Sequence, residues 1–376
     1  MQALVLKKVH DLIIEERDIP EPGENEVLIE TAYVGICGSD VHYWQEGRIG
    51  DFVLNKPMIM GHETSGVVCK LGSQLVNPLQ IGDRVCIEPG VPCRHCSLCK
   101  AGTYNLCPLV KFHATPPYDG TLRRYFAHPS DFCHKIPAEM NMQMAALVEP
   151  MAVGYFALLR SRMPFGGTVL ISGAGPIGLC CLICAINMGA SKVYITETLT
   201  GLSDMLENRL KAAKLLGADH TLQIIPSSPD TFNLTFADKD ANDPNKNRFE
   251  TFFEKHDRPD VTFEATGSES GIELALKVTK PGGKLICIGF SFHPTKIKVA
   301  NIIVKQIDIL GIFRYANCFP QTISLLHNCR NKEEIRKIMI THMFNFSESL
   351  EAYTVAKENS RNNAVKVMIK VSDHDK

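Results

Sequence analysis

The sequence predicts an α/β protein in which a β-rich first part, built of short strands and loops, precedes a doubly wound parallel sheet. Three observations carry this. Over residues 1–151, strand-like runs are punctuated by Gly and Pro. Over 152–311, apolar strands alternate with helices, the pattern of a parallel sheet. At the first strand-to-helix junction of this second part stands a glycine-rich turn, Gly173-Ala-Gly175-Pro-Ile-Gly178. Residues 312–376 return to mixed segments and are assigned to the first part.

The elements follow in order. In the first part, 27–34 and 66–68 read as strands, and 82–85 as a turn entering a strand. In the second, 168–172 is an apolar strand, 179–188 a helix and 193–196 the next strand. A helix over 208–216 ends at Gly217, and 260–264 and 284–288 are strands, the latter following a turn at 281–283. The chain closes with a strand over 364–371. Residues 226–258, rich in Asp, Asn, Lys and Pro, read as an insertion whose middle is a mobile surface segment.

Composition narrows the class. The 376 residues are 45% apolar and 22% charged with a net charge of −1, ordinary for a soluble globular chain. No basic stripe suggests nucleic acid or an anionic membrane as partner. Residues 163–191 carry no charge, long enough to span a bilayer, but glycines and a proline break them in the middle. A buried strand, a turn and a buried helix are expected there instead. The start shows no apolar signal core, and a reducing cytoplasm is the expected setting for the fourteen cysteines.

Four of those cysteines form a motif. Cys93, Cys96, Cys99 and Cys107 are spaced C-x2-C-x2-C-x7-C, with Gly102 as a turn before the fourth. Such a set satisfies tetrahedral Zn2+ completely and leaves no open position, so this zinc is structural and the chemistry lies elsewhere.

The glycine-rich turn names a cofactor. It follows a predicted strand, opens a predicted helix, and has Glu197 nineteen residues past Gly178 at the end of the next strand. That is the dinucleotide fingerprint. Gly173 permits the tight turn, Gly175 lets backbone approach the pyrophosphate, and Gly178 lets helix pack on strand. A carboxylate at 197 suits ribose hydroxyls and repels a 2′-phosphate, favouring NAD over NADP. Hydride transfer then needs groups that manage a hydroxyl proton. Candidates cluster before the fingerprint: Cys37, Ser39 and His42, then His62 and Glu63, then Glu149.

These residues bring the chain to a resemblance. GICGSDVHYW, GHETSG, GDRV, the four-cysteine lobe, EPMAVG and GAGPIG resemble the zinc-dependent medium-chain dehydrogenases over nearly the whole length. Longer stretches, including ATPPYDGTLRRYFAHPSDFCHKIP and GIFRYAN, are similar to the polyol branch of that family. The resemblance implies a GroES-like catalytic domain carrying both zinc sites and a Rossmann cofactor domain. It implies that Cys37, His62 and Glu63 bind a catalytic zinc, and that Glu149 holds the zinc-bound water or the substrate. Tyr43, Arg314 and Tyr315 match residues lining the polyol site. Gly173, Gly175, Ile177, Gly178, Glu197, Arg209, Ile288, Gly289, Phe290, Ile312, Phe313 and Arg314 match cofactor contacts. Ser39 and His42 would pass the hydroxyl proton to solvent.

The implied activity is NAD-dependent oxidation of a polyol to a ketose, with two zincs per chain and a homotetramer as assembly. Xylitol, arabinitol and threonine are alternative substrates within the family. A zinc-finger-like binding protein is the alternative of a different class, and the charge balance speaks against it. The stretch between Glu197 and Arg209 is longer than the family pattern. Arg209 is therefore either a cofactor contact or a solvated helix residue.

Overall fold

In the computed structural model the alternation that begins at residue 168 builds a seven-stranded sheet. Its strands lie in the order Thr231–Phe236, His220–Ser228, Lys192–Thr198, Thr168–Ser172, Val261–Glu264, Lys284–Cys287 and Asp308–Gly311. Six are parallel; Thr231–Phe236 is added antiparallel at the edge. The structure describes residues 1–198, 203–228, 231–236, 252–253, 256–290, 294–358 and 362–374.

The uncharged stretch resolves as expected. Thr168–Ser172 is buried at every residue, as a central parallel strand must be. The helix Pro176–Asn187 follows and buries a solid run from Gly178 to Ala185. It begins earlier than the expected 179, because Pro176 sits in its first turn, where proline lacks an N–H that would go unused anyway. Among the described residues no helix is long and apolar enough to cross a membrane.

The insertion corrects the sequence reading at both ends. His220–Ser228 extends through Pro226 into a strand paired with Thr231–Phe236. Phe252 and Phe253 are buried in a core cluster with Leu170, Tyr194, Leu222 and Leu274. Composition missed both anchors because polar neighbours diluted two short apolar runs, TFNLTF and FETFF. The middle of the insertion, 237–251, lies outside the described residues.

The β-rich part forms a second sheet, in the order Cys133–Lys135, Arg84–Ile87, Glu63–Leu71, Glu26–Gly35, Lys366–Lys370 and Ile340–Asn345. Tyr125–Pro129 also pairs with the long strand Glu26–Gly35. One apolar cluster here joins Val27, Ile29, Val68, Val85, Ile87 and Phe126. The last strand, Lys366–Lys370, therefore pairs with a strand more than 300 residues earlier. Contacts divide the chain into Met1–Ala152 with Ala316–Lys376, and Val153–Tyr315.

Candidate active site and metal centres

The C-terminal end of the strand Glu26–Gly35 pairs with Glu63–Leu71 and with Lys366–Lys370, and the register sets Glu63 opposite Gly35. Glu63 and Lys366 meet here, with Lys366 Nζ 2.6 Å from Glu63 Oε1. Gly35 makes room for this: a Cβ on it would lie 2.1 Å from Glu63 Oε2. Lys366 also donates to the Ile36 carbonyl at 3.2 Å. Both side chains are buried, and an unpaired charge at that depth is strongly disfavoured.

Just after Gly35 the chain turns into the helix Gly38–Glu46 with Cys37 at its N-cap. Asp40, fully buried, accepts the Cys37 N–H at 3.1 Å through Oδ2 and faces His62 Nδ1 at 3.4 Å through Oδ1. A histidine oriented this way presents Nε2 to a metal. Cys37, His62 and Glu63 bring their donor atoms within 4.8 Å of one another.

This set fits zinc. Thiol, imidazole and carboxylate are its ordinary ligands, and three protein donors leave the open position of a catalytic site. Glu63 Oε2 is buried with no hydrogen-bond partner, an oxygen waiting for a cation. Burial opposes protonation of His62, but Asp40 and Cys37 outweigh it and hold its pKa well above the ordinary histidine value. Burial, followed by the negative charge of Asp40, Cys37 and Glu63, pushes Tyr353 well above its ordinary value too. The His62 shift reports negative charge that a divalent ion would offset, with protons and metal competing for the site.

The other expected residues are distributed as follows. Ser39 and His42 lie on the helix Gly38–Glu46, with His42 Nδ1 3.6 Å from Glu46 Oε1 one turn on. Tyr43 on the same helix is buried in the core cluster with Leu4, Met60 and Leu122, so its ring also serves packing. Glu149 is buried in the first turn of the helix Val148–Ser161 and stands outside the three-donor cluster. Arg314 adopts a left-handed backbone, φ 54°, with its guanidinium over the Phe313 ring, and Tyr315 is buried.

Sequence reading missed three neighbours. Asp40 sits three residues after Cys37, a helix-start spacing that could have signalled it. Lys366 stands as a single charge inside the apolar run AVKVMI, itself a signal. Phe112, whose ring meets the His62 ring edge-on at 5.6 Å, has no local signature.

In the four-cysteine lobe the sulfurs of Cys93, Cys96, Cys99 and Cys107 also lie within 4.8 Å of one another. Gly102 takes the expected turn with φ 76°. Backbone N–H groups point at sulfur, Cys96 N to Cys93 Sγ at 3.3 Å and Cys93 N to Cys107 Sγ at 3.4 Å. The His95 backbone N–H, and after it that of Cys96, hold the Cys93 thiol down to about 6. Thiolates cradled by amides suit a structural zinc.

The glycine-rich turn has the geometry its residues suggest. Gly173 has φ 100°, and a Cβ on Gly178 would lie 1.8 Å from the Gly173 carbonyl oxygen, so helix and turn close on each other only without side chains. A Cβ on Gly175 would meet nothing, which leaves space at the helix N-terminus for a pyrophosphate. Ile177 is half-buried in the first turn of that helix. Glu197 accepts the Ala174 N–H at 3.0 Å, tying the acidic residue to the turn. Arg209 Nη1 lies 3.5 Å from Glu197 Oε2, so this arginine is a neighbour of the acid expected at the ribose and not a freely solvated residue. Ile288 and Gly289 both donate backbone N–H groups to the Glu264 carbonyl, and Phe290 is exposed beyond them. Ile312 donates to the Cys287 carbonyl, which brings 288–290 and 312–313 to neighbouring strand ends.

Comparison with known proteins agrees with this architecture. Residues 23–138 match the alcohol dehydrogenase GroES-like domain, and residues 176–328 match the zinc-binding dehydrogenase domain. The sorbitol dehydrogenase of Bos taurus is 42% identical over 373 residues, covering 99% of this chain and 97% of its own. Among solved structures, an Escherichia coli oxidoreductase/dehydrogenase of unknown specificity superposes with TM-score 0.83 at 34% identity, covering 99% of this chain and all of its own. An alcohol dehydrogenase of E. coli CFT073, solved with NADH, gives TM-score 0.83 at 27% identity over 99% of both chains. A three-donor cluster that fits zinc, on a GroES-like sheet, a four-cysteine lobe and a glycine-rich turn on a parallel sheet thus occur in one chain, which belongs to the zinc-dependent medium-chain dehydrogenases.

Proposed function

We propose that the protein oxidises a polyol to a ketose with NAD as hydride acceptor, sorbitol to fructose being the prototype. The observation that carries this is full-length identity of 40–42% to sorbitol dehydrogenases, spanning both units. Zinc held by Cys37, His62 and Glu63 would supply Lewis acidity that lowers the pKa of a substrate hydroxyl. Lys366 holds Glu63 Oε1 and so directs Oε2 towards the metal. Asp40 orients His62, and Phe112 covers the ring and excludes water from that side.

Ser39 and His42 take the hydroxyl proton and release it to solvent, a path suited to the exposed His42 imidazole. NAD held by the glycine turn and Glu197 would supply the acceptor for a hydride from the carbon that bears this hydroxyl, the two electrons lost by the alcohol being those the cofactor takes up. Glu149, Arg314, Tyr43 and Tyr315 supply partners for the remaining hydroxyls, each of which would cost about 1–3 kcal/mol if buried unpaired. An alcohol without those hydroxyls would leave the same groups unsatisfied.

Steady-state rates with NAD on sorbitol, xylitol, arabinitol, threonine and ethanol test the reading. Polyols are expected to exceed threonine and ethanol in kcat/KM by about two orders of magnitude or more. Threonine or ethanol as the best substrate would overturn it. For the cofactor, Glu197→Ala removes the ribose partner and frees Arg209 to meet a 2′-phosphate. The preference for NAD over NADP should fall by roughly 10- to 100-fold, read as the ratio of kcat/KM values. An unchanged ratio would remove Glu197 from the ribose site.

A homotetramer is the assembly proposed from the resemblance. In support, the helix Val299–Lys305 leaves Ile303 and Val304 68% and 77% exposed just before the outer strand Asp308–Gly311, an apolar edge of the kind subunit pairing covers. Sedimentation equilibrium of the holoenzyme measures it directly.

A further inference from the structure

The four-cysteine lobe is closed and takes no part in the chemistry above, yet the chain following Arg314 and Tyr315 is moored to it. Asn317 donates its backbone N–H to the Tyr104 hydroxyl oxygen at 2.8 Å and its side-chain Nδ2 to the Gly102 carbonyl at 2.8 Å. Gly102 and Tyr104 lie between Cys99 and Cys107, inside the metal loop. Tyr104 in turn donates to buried Glu88 at 2.5 Å, whose second oxygen pairs with His134 at 2.8 Å. The His134 ring stacks on Phe319 at 5.0 Å. Burial, and then the charge of Glu88, push the Tyr104 pKa upward, so the hydroxyl keeps its proton for Glu88 and its lone pair for Asn317.

The mooring falls where the backbone is held in an uncommon conformation. Asn317 has φ 55° and Arg314 φ 54°, both left-handed. Asparagine tolerates this region; an arginine is held there by its surroundings. Only Tyr315 and Ala316, both buried, separate the two, so the chain keeps Arg314 within about 11 Å of Asn317. A shift of the lobe would pull on Asn317 and be passed along that short tether.

We propose that Asn317 is a positioning residue that ties the polyol-binding Arg314–Tyr315 segment to the four-cysteine lobe, so that the state of the lobe sets polyol affinity. This rests on the polyol reading of Arg314 and Tyr315. Were Asn317 only a turn residue, glycine would replace it without consequence.

Asn317→Gly keeps the left-handed freedom and removes the side-chain bond to Gly102. The polyol KM is expected to rise about five- to tenfold, while kcat changes less than about twofold. Cys99→Ala, which opens the lobe, should raise the polyol KM in the parent enzyme and add nothing in the Asn317→Gly background, because both act through one link. Amide hydrogen exchange over 313–318, measured without substrate, should accelerate in both variants. An unchanged KM in Asn317→Gly, or additive effects of the two substitutions, would overturn the tether. If the parent enzyme turns over no polyol, the functional reading fails, and the exchange measurement still decides whether the lobe holds this segment.

Discussion

His62→Ala is expected to lower turnover by roughly three orders of magnitude or more, since Lewis-acid assistance contributes several kcal/mol to such a barrier. The substitution removes one of three donors and leaves Asp40, fully buried, without the imidazole it faces. NAD affinity should be unchanged, because the glycine turn and Glu197 draw on none of these residues. Metal analysis separates the two sites: about two zincs per chain should become about one, the four-cysteine lobe keeping its own. Retained turnover, or loss of both metals together, would contradict this division. Titration of NAD by quenching of protein or nucleotide fluorescence checks the cofactor half.

Lys366→Met is expected to destabilise the metal-free protein by about 3–5 kcal/mol, the usual effect of leaving one member of a buried ion pair alone. Methionine keeps the length and apolar stem of lysine, so little of the loss is packing. Glu63, 1% exposed, would then hold a buried carboxylate without its lysine partner, beside the donor atoms of Cys37 and His62. Metal should offset part of the loss, because a cation at Glu63 supplies the missing charge. Urea unfolding of the metal-free and zinc-loaded forms measures both effects, and the gap between the forms should widen relative to the parent protein. A variant as stable as the parent when metal-free would show that the pair contributes nothing. Lys366→Arg keeps the charge and should recover most of the stability.

The two variants probe residues of unlike legibility. His62 and Glu63 stand out in the chain as polar candidates after the Cys37–Ser39–His42 group, and the family resemblance gives them a zinc role, while the structure brings their donor atoms to that of Cys37. The four cysteines and the glycine turn are legible in the chain itself: each is a short loop whose spacing alone converges its groups. From 168 to 311, apolar periodicity marked the strands 168–172, 193–196, 260–264 and 284–288 and the helix 179–188 with shifted boundaries, as at Pro176, but left His220–Ser228, Glu269–Val278 and Asp308–Gly311 unread.

Lys366 shows where local reading stops. Its pairing with Glu63 joins residues 303 positions apart through a shared neighbour strand, and it depends on Gly35 lacking a Cβ. Asn317 and Tyr104 meet in the same way across 213 positions. The edge strand Thr231–Phe236 and buried Phe252 and Phe253 were hidden in a polar insertion, where burial depends on what the sheet offers and not on local composition.

Spacing and periodicity were thus enough to indicate the two-part α/β architecture, the four-cysteine metal lobe and the dinucleotide turn, because each is encoded within a few residues, while Cys37, His62 and Glu63 were named as zinc donors only by the family resemblance. Which groups surround those donors was established by packing alone: Lys366, Asp40 and Phe112 around the metal set, Arg209 beside Glu197, Asn317 against the lobe. The physical reason is that strand register and burial bring residues such as Lys366, Phe112 and Asn317 to partners far along the chain, so a local signal, such as one lysine in an apolar run, marks the residue without naming its partner.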